Sequence, residues 1–453
     1  MKITQITSTE HAPWRIRAVA GDAAPGPDGA ANLVETGETA QTLLGFGGCF
    51  NELGWDALQR LPVAEQKRVL VSLFGDSGCR FSFCRLPIGA SDYARDWYSL
   101  NEQRDDFKMQ RFSIARDREA LIPYVRAAQA VRPEIAFFAS PWSPPTWMKT
   151  PPVYNHGVLR GEKRILDAYA LYFRRYVEAY AREGIPIRQI HVQNEPVSDQ
   201  KFPSCVWTGE QLRDFIGGHL GPHFEKFRVP AEIWLGTLNG PESDQRWSWT
   251  RYDQYANLVL SDPKAARYVK GIAYQWAGKY AIQRTHEAWP EVPLIQSENE
   301  CGDGENSWTY AMYVFELLWH YLTNHAVAYV YWNMILDQGG RSTWGWRQNS
   351  MITVAPGSRR ASWEHEFYVM KHHSHFVAPG AVRLRLRGPW TGNALLFRNP
   401  DGARTLVIAN PFAAVRKLTA RLETLRFSAM LPPSSINTFA IPPPGKRVRP
   451  ESR

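Results

Sequence analysis

Two stretches of the chain end an apolar, β-prone run on a carboxylate: His191-Val192-Gln193-Asn194-Glu195-Pro196 and, about a hundred residues later, Pro293-Leu294-Ile295-Gln296-Ser297-Glu298. Two carboxyl groups delivered from separate strands are what glycosidic bond cleavage needs. One acid protonates the departing oxygen, and one carboxylate attacks the sugar carbon or activates water. Either stretch alone is weak evidence, because Asn-Glu-Pro also serves as a turn or a helix start. The pair gains meaning only if the fold brings both carboxylates to one place.

The elements that would do so are legible. From Gly45 onward, short apolar runs alternate with amphipathic segments. The strand candidates are Gly45–Gly48, Phe81–Gly89, Ile135–Trp142, Ile187–Gln193, Glu232–Leu238, Gly271–Trp276, Pro293–Ser297 and Val327–Asn333. The intervening helix candidates include Asp56–Phe74, Ala115–Ala130, Arg164–Arg182, Glu210–His219 and Trp308–Thr323, whose apolar spacing fits a helical period. Eight β-then-α units predict an α/β fold, a (β/α)8 TIM barrel, over a doubly wound sheet.

The flanks read differently. Residues 381–443 are strand-like throughout, with Asn399-Pro400-Asp401-Gly402 as a hairpin signal, and residues 2–8, 14–19 and 33–36 also read as extended around a Gly/Pro/Ala-rich turn at Gly21–Ala31. The expected organisation is therefore residues 1–40 as the first strands of a side β-sandwich, 41–378 as the barrel, and 379–453 as the remaining sandwich strands.

In a (β/α)8 barrel the loops at the carboxyl ends of the strands form the active site. Glu195 then falls just past strand four and Glu298 just past strand seven, facing each other across the mouth. The same rim would carry Arg85 and Asp92 after strand two, Trp142 after strand three, Gln275 and Trp276 at strand six, and Trp332 and Asn333 at strand eight. With 18 Trp, 19 Tyr and 21 Phe, the chain has aromatic faces to stack on sugar rings, although most of these rings are expected to fill the core.

Composition excludes other classes. At 44% hydrophobic and 21% charged residues the chain is globular rather than disordered. The net charge of +9 is scattered, with mild concentrations at Arg383–Arg387 and Lys446–Arg453 and no recognisable nucleic-acid motif, so no nucleic-acid partner is expected. The five cysteines, Cys49, Cys79, Cys84, Cys205 and Cys301, are odd in number and lack CxxC spacing, which rules out a complete disulfide framework; Cys49, Cys84 and Cys301 read as small buried hydrophobes. No run is long enough to span a bilayer or serve as a signal peptide, so a cytoplasmic location is expected if Met1 is the natural start. Asp303-Gly304-Glu305 with Asp337 lacks a calcium-loop spacing and reads as an acidic rim. His372, His373 and His375 fit no zinc geometry on one helix face. No metal or cofactor is expected. The oligomeric state is left open.

The ordered segments Gly45–Phe50, Arg85–Tyr93, Ala139–Thr150, Gln193–Pro196, Ser297-Glu298, Trp332-Asn333 and Glu366–Met370 closely resemble glycoside hydrolase family 30, which includes glucosylceramidase. The resemblance implies a retaining β-glycosidase acting on a β-linked oligosaccharide or glycoside, most simply a β-glucosidic bond, with a barrel and a side β-sandwich. It also implies that Glu195 is the acid/base, Glu298 the nucleophile, and Asn194 a partner of the sugar 2-hydroxyl. Asp92 and Trp142 would line the pocket for the terminal sugar. Arg85 would lie either near the nucleophile or in an ion pair inside the barrel without touching substrate.

Two departures bear on this transfer. Strand seven continues Ser297-Glu298-Asn299-Glu300-Cys301, so Glu300 competes with Glu298 as nucleophile or else binds substrate. Strand six reads Tyr274-Gln275-Trp276-Ala277-Gly278, with Gln and Ala where glucosylceramidase-like members tend to carry His and Tyr, which argues against a lipid-linked substrate. β-1,6-Glucanase, β-xylosidase, β-fucosidase and glucosylceramidase specificities share the mechanism, as does transglycosylation. A non-catalytic carbohydrate-binding barrel would have lost one carboxylate.

Overall fold

The structure, a computed structural model, describes residues 1–23, 31–239 and 254–443. Its centre is a parallel sheet built from Gly45–Cys49, Phe83–Ile88, Ala136–Pro141, Ile187–His191, Glu232–Trp234 with Thr237–Leu238, Ile272–Gln275, Leu294–Glu298 and Ala326–Asn333. These are strands one to eight of the barrel. Strand five changes neighbours midway: Glu232–Trp234 pairs with strand four, and Thr237–Leu238 pairs with strand six. Backbone bonds from Leu235 N to Gly271 O (3.1 Å) and from Thr237 N to Gln193 O (3.0 Å) carry the ladder through the break, so the sheet closes on itself.

Inside the closed sheet, side chains stack in layers because alternate residues of each strand point inward. Phe83, Phe138, Trp234, Ala273, Ile295, Ala328 and Val330 form an apolar plug. Two residues further along their strands come Arg85, Ser140, Gln275 and Trp332, all buried. The plug therefore gives way to a polar layer just below the mouth, and that layer supports the site.

Helix boundaries show what periodicity alone does not resolve. The helix expected over Asp56–Phe74 is two, Glu52–Gln59 and Val63–Phe74, because Pro62 lacks a donor N–H and starts the second helix instead of continuing the first. The segment expected over Ala115–Ala130 is helical over Leu121–Gln129 after a short 3₁₀ turn. The segment expected to end at His219 runs on through a π turn at Ile216–Leu220 to Phe227. Pro222 offers no N–H to the carbonyl four residues back, and the wider turn accommodates that gap. Lys163–Arg182 and Trp308–Thr323, both strongly patterned, lie within a residue of expectation.

Both termini build the side domain. Among the described residues its nine strands run in the order Lys2–Thr9, Ala12–Ala23, Leu425–Leu431, Arg416–Leu422, Leu33–Thr42, Val382–Arg387, Ala394–Arg398, Arg404–Asn410 and Ser435–Ile441. The last pairs with the first, so the two faces of the sandwich are joined at their edges around Ile3, Leu33, Leu396, Leu406, Ile408, Leu418 and Phe439. The expected hairpin at Asn399–Gly402 turns with Gly402 at φ +85°. Of the turn expected at Gly21–Ala31, residues 21–23 continue the second strand, and 24–30 lie outside the described residues.

The His372–His375 cluster ties this domain to the barrel. Buried His372 pairs with Thr438 Oγ1 and Ser8 Oγ, both at 2.8 Å, while His373 and His375 bond the carbonyls of Val369 and Gly78. Among the described residues, no helix is long and apolar enough to cross a membrane.

Candidate active site

Strand four ends at His191, yet the chain beyond it stays pinned to its neighbours. Asn194 N donates to Pro141 O at 2.8 Å and Glu195 N to Thr237 O at 3.0 Å. Glu195 sits at φ +47°, a left-handed conformation that a residue with a β-carbon adopts only when its surroundings fix it. Strand seven reaches its carboxylate differently. A register irregularity at Tyr274/Gln275 sets Gln275 opposite Glu298, and such offsets re-aim side chains at a barrel rim.

Both glutamates line one cavity of about 390 Å³, together with Asp92, Trp142, Asn194, Trp276 and Glu300. Glu195 is 7% and Glu298 5% exposed. Their partners differ. Glu195 Oε1 accepts from Trp276 Nε1 at 2.7 Å, and no ion pair involving it exists among the described residues. Burial raises its carboxyl above the ordinary range, opposed by hydrogen bonds from Trp276 and Ser198 and by the more distant charge of Arg85.

Glu298 faces a cation. Arg85, fully buried, donates from Nη1 to Glu298 Oε2 at 2.6 Å. Burial pushes this carboxyl up as well, with the Arg85 charge pulling it down. A guanidinium does not lose its proton in a protein, and among the described residues no other carboxylate pairs with it. The ionised form of Glu298 is therefore the one that neutralises the barrel interior.

Arg85 also fixes the amide beside the first glutamate. Its Nη2 donates to Asn194 Oδ1 at 2.6 Å, and the same oxygen accepts from Thr237 Oγ1 at 3.1 Å. With that oxygen committed, the Asn194 amide nitrogen is the group left to meet a ligand. The guanidinium carbon lies 4.5 Å from the Trp142 ring centre and 5.5 Å from that of Trp332, and the two indoles stack at 5.4 Å. The aromatic floor and the charged pair thus hold one another in place.

Asp92 is buried, with Oδ2 3.4 Å from Gln348 Nε2 and Oδ1 without a hydrogen-bond partner among the described residues. Burial raises its carboxyl to about 7. An unpaired buried oxygen at a cavity wall is a group that a hydroxyl would satisfy. Glu300 lines the same cavity but is held from the outside by Lys279 Nζ (3.3 Å) and the Tyr313 hydroxyl.

Four residues expected at the rim lie beneath the cavity, and for Arg85 this is the interior ion pair held open above. Arg85, Gln275, Trp332 and Asn333 are 0–1% exposed and absent from the cavity lining. A strand-end position sets height in the barrel but not the direction of the side chain: Arg85, Gln275 and Trp332 follow the inward alternation, whereas Asn333, next to Trp332, sits at a register irregularity. Asn333 accepts from Asn51 at 3.0 Å and donates to Gln348 at 2.9 Å, so it acts on Asp92 through that glutamine. Cys301, expected as a buried hydrophobe, is half-buried on the cavity wall, its Sγ 3.9 Å from Glu298 Oε1. All five cysteines are free. Of the groups considered as calcium ligands, Glu305 pairs with Arg347 at 2.8 Å, Asp337 pairs with Arg60, and Asp303 Oδ1 accepts from Glu305 N at 3.0 Å.

Sequence reasoning missed Gln200, Phe202, Tyr310, Trp346 and Gln348, all on the cavity wall. Trp346 and Gln348 had a signal, a Trp-Gly-Trp-Arg-Gln run in the loop after strand eight.

Residues 43–377 match the model of the glycosyl hydrolase family 30 TIM-barrel domain. The chain is 30% identical to "Putative glucosylceramidase 2" of Caenorhabditis elegans, covering 90% of this chain and 83% of that one. It is 25% identical to "Endo-1,6-beta-D-glucanase neg1" of Aspergillus fumigatus, covering 89% and 85%. Among solved structures, SrfJ from Salmonella typhimurium superposes with a TM-score of 0.87 at 24% identity, over 97% of this chain and 99% of that one. A buried carboxyl pair at the mouth of a closed barrel and a family match across the barrel lead to one conclusion: the chain is a glycoside hydrolase and belongs to glycosyl hydrolase family 30.

Proposed function

We propose that the protein hydrolyses β-glucosidic bonds with retention, by double displacement, using Glu195 as acid/base and Glu298 as nucleophile. The observation that carries this reading is the asymmetry of the two carboxyls in one cavity. Glu195 has only neutral donors and no ion pair among the described residues, which suits a group that must hold a proton and release it to the leaving oxygen. Glu298 has a buried guanidinium at 2.6 Å, which suits a group that must be an anion when it attacks.

In the first step Glu298 bonds to the anomeric carbon as Glu195 gives its proton to the departing oxygen. In the second, Glu195 takes a proton from water as that water displaces Glu298. The Asn194 amide nitrogen is available to donate to the 2-hydroxyl, a contact that strengthens as positive charge develops on the ring. Glucose is the favoured sugar because a glucosyl unit is common to the names of the glucosylceramidase and glucanase relatives.

The test is a panel of aryl β-glycosides and β-linked disaccharides with the product anomer followed by NMR. Fastest turnover of a β-glucoside with β-glucose appearing first is expected. α-Glucose appearing first would overturn retention, and no turnover of any β-glycoside would overturn the reading as a whole.

A further inference from the structure

The catalytic cavity is graded in depth. Trp142, 2% exposed, is buried as the two carboxyl groups are, whereas Trp346, 45% exposed, is the most exposed large apolar side chain of the wall among the described residues. An indole is costly to leave in water, and this one is held there by construction. Ser342 N donates to Trp346 O at 2.7 Å, Ser342 Oγ accepts from Trp346 N at 3.1 Å, and Gly345 turns the chain at φ +99°. The turn is anchored to the strand-two side of the mouth, where the Tyr93 hydroxyl donates to Gly340 O at 2.7 Å. At Gly340 a β-carbon would come within 1.8 Å of Gln348 O, so no larger residue fits there. Trp344 packs edge-on against Trp346 at 5.0 Å and tilted against Phe202 at 5.3 Å.

We propose that Trp346 is the platform for a sugar on the leaving-group side of the scissile bond, so that the preferred substrate is a β-linked oligosaccharide rather than a glycolipid. The proposal rests on the β-glycosidase reading above. The glycosyl unit whose anomeric carbon reacts must occupy the closed end with the carboxyls, and the departing group then extends toward the open end, where Trp346 stands. A pre-organised indole offers a flat apolar face to the C–H face of a pyranose at little entropic cost. Gln200, Gln348 and Glu300 on the same wall are hydrogen-bonding groups that suit sugar hydroxyls better than an alkyl chain.

The experiment compares wild type with Trp346→Ala and Trp346→Tyr on three substrates: β-glucosyl fluoride, which has no leaving-group ring; a β-1,6-linked glucose disaccharide; and glucosylceramide in detergent micelles. Trp346→Ala is expected to lower kcat/KM for the disaccharide about tenfold and to leave the fluoride within about twofold, with Trp346→Tyr recovering most of the loss. Equal losses on fluoride and disaccharide would overturn the proposal, as would no loss on either, or a loss confined to glucosylceramide. A wild-type enzyme inert toward the fluoride would instead overturn the glycosidase reading on which the proposal stands.

Discussion

Arg85 reaches Glu298 Oε2 at 2.6 Å with one nitrogen and Asn194 Oδ1 at 2.6 Å with another, so a single buried guanidinium couples the strand-seven carboxylate to the residue preceding Glu195. Removing it should act on both. Arg85→Met takes away the charge that favours the Glu298 anion, so the Glu298 pKa rises and the acidic limb of the kcat/KM profile moves to higher pH. The variant should also lose about 3 kcal/mol of stability, the cost of breaking a buried ion pair from one side. A pH–rate profile and thermal unfolding check the two parts. An unmoved acidic limb in a folded variant would separate Arg85 from the nucleophile.

The proposed roles of the carboxyl groups predict opposite phenotypes. Glu298→Gln should lower kcat by about 10⁴-fold on every substrate, because no covalent intermediate forms. Glu195→Gln should retain activity toward substrates with good leaving groups, and azide should restore turnover as a β-configured glycosyl azide. Glu300, held by Lys279 and Tyr313, should tolerate Gln with a loss of about tenfold or less. Steady-state kinetics on an activated aryl β-glucoside distinguish the three.

Trp276 tunes the acid. Its indole N–H, 2.7 Å from Glu195 Oε1, stabilises the ionised carboxyl. In Trp276→Phe that donor is gone, the Glu195 pKa rises, and the protonated acid persists to higher pH. The alkaline limb of kcat/KM should move up by about one unit. A downward shift would mean that Trp276 serves the protonated form.

How much of this was legible in the sequence depends on what each pattern encodes. Eight strands and the ends of the long helices were, because periodicity reports which face is buried. The break at Pro62 shows its limit, since an apolar repeat that continues through a proline does not continue as one helix. Glu195 and Glu298 could be placed at a common rim from strand order alone. That Gln275, Trp332 and Asn333 turn into the layer below could not, because a bulge or a left-handed residue at the strand end, as at Glu195, reassigns faces without changing composition. Trp346 depends on a turn whose hydrogen bonds reach Gly340 and Ser342, and no strand or helix period marks it.

Glu366 predicts a pH dependence of stability. It is fully buried, Oε1 accepts from Asn349 Nδ2 at 2.7 Å, Oε2 has no hydrogen-bond partner among the described residues, and burial raises the carboxyl to about 8. A carboxyl raised on folding contributes stability that is complete below its unfolded value and is lost as pH rises toward the folded one. Between about pH 4.5 and 8 the wild type should therefore lose roughly a few kcal/mol relative to Glu366→Gln. Asn349 Oδ1 accepts from Gly304 N at 2.7 Å, so the loop after strand seven should loosen over the same range. Denaturant unfolding of both proteins across that range checks the difference, which should vanish at the acidic end.

The most direct test of the account is chemical trapping of the covalent intermediate. A 2-deoxy-2-fluoro-β-glucosyl fluoride carries a leaving group good enough to load the enzyme and a fluorine that slows release, because it withdraws charge from the transition state. Mass spectrometry of the digested adduct should place the sugar on Glu298. A sugar on Glu300 or Glu195, or turnover with no adduct and an α-configured product, would contradict it.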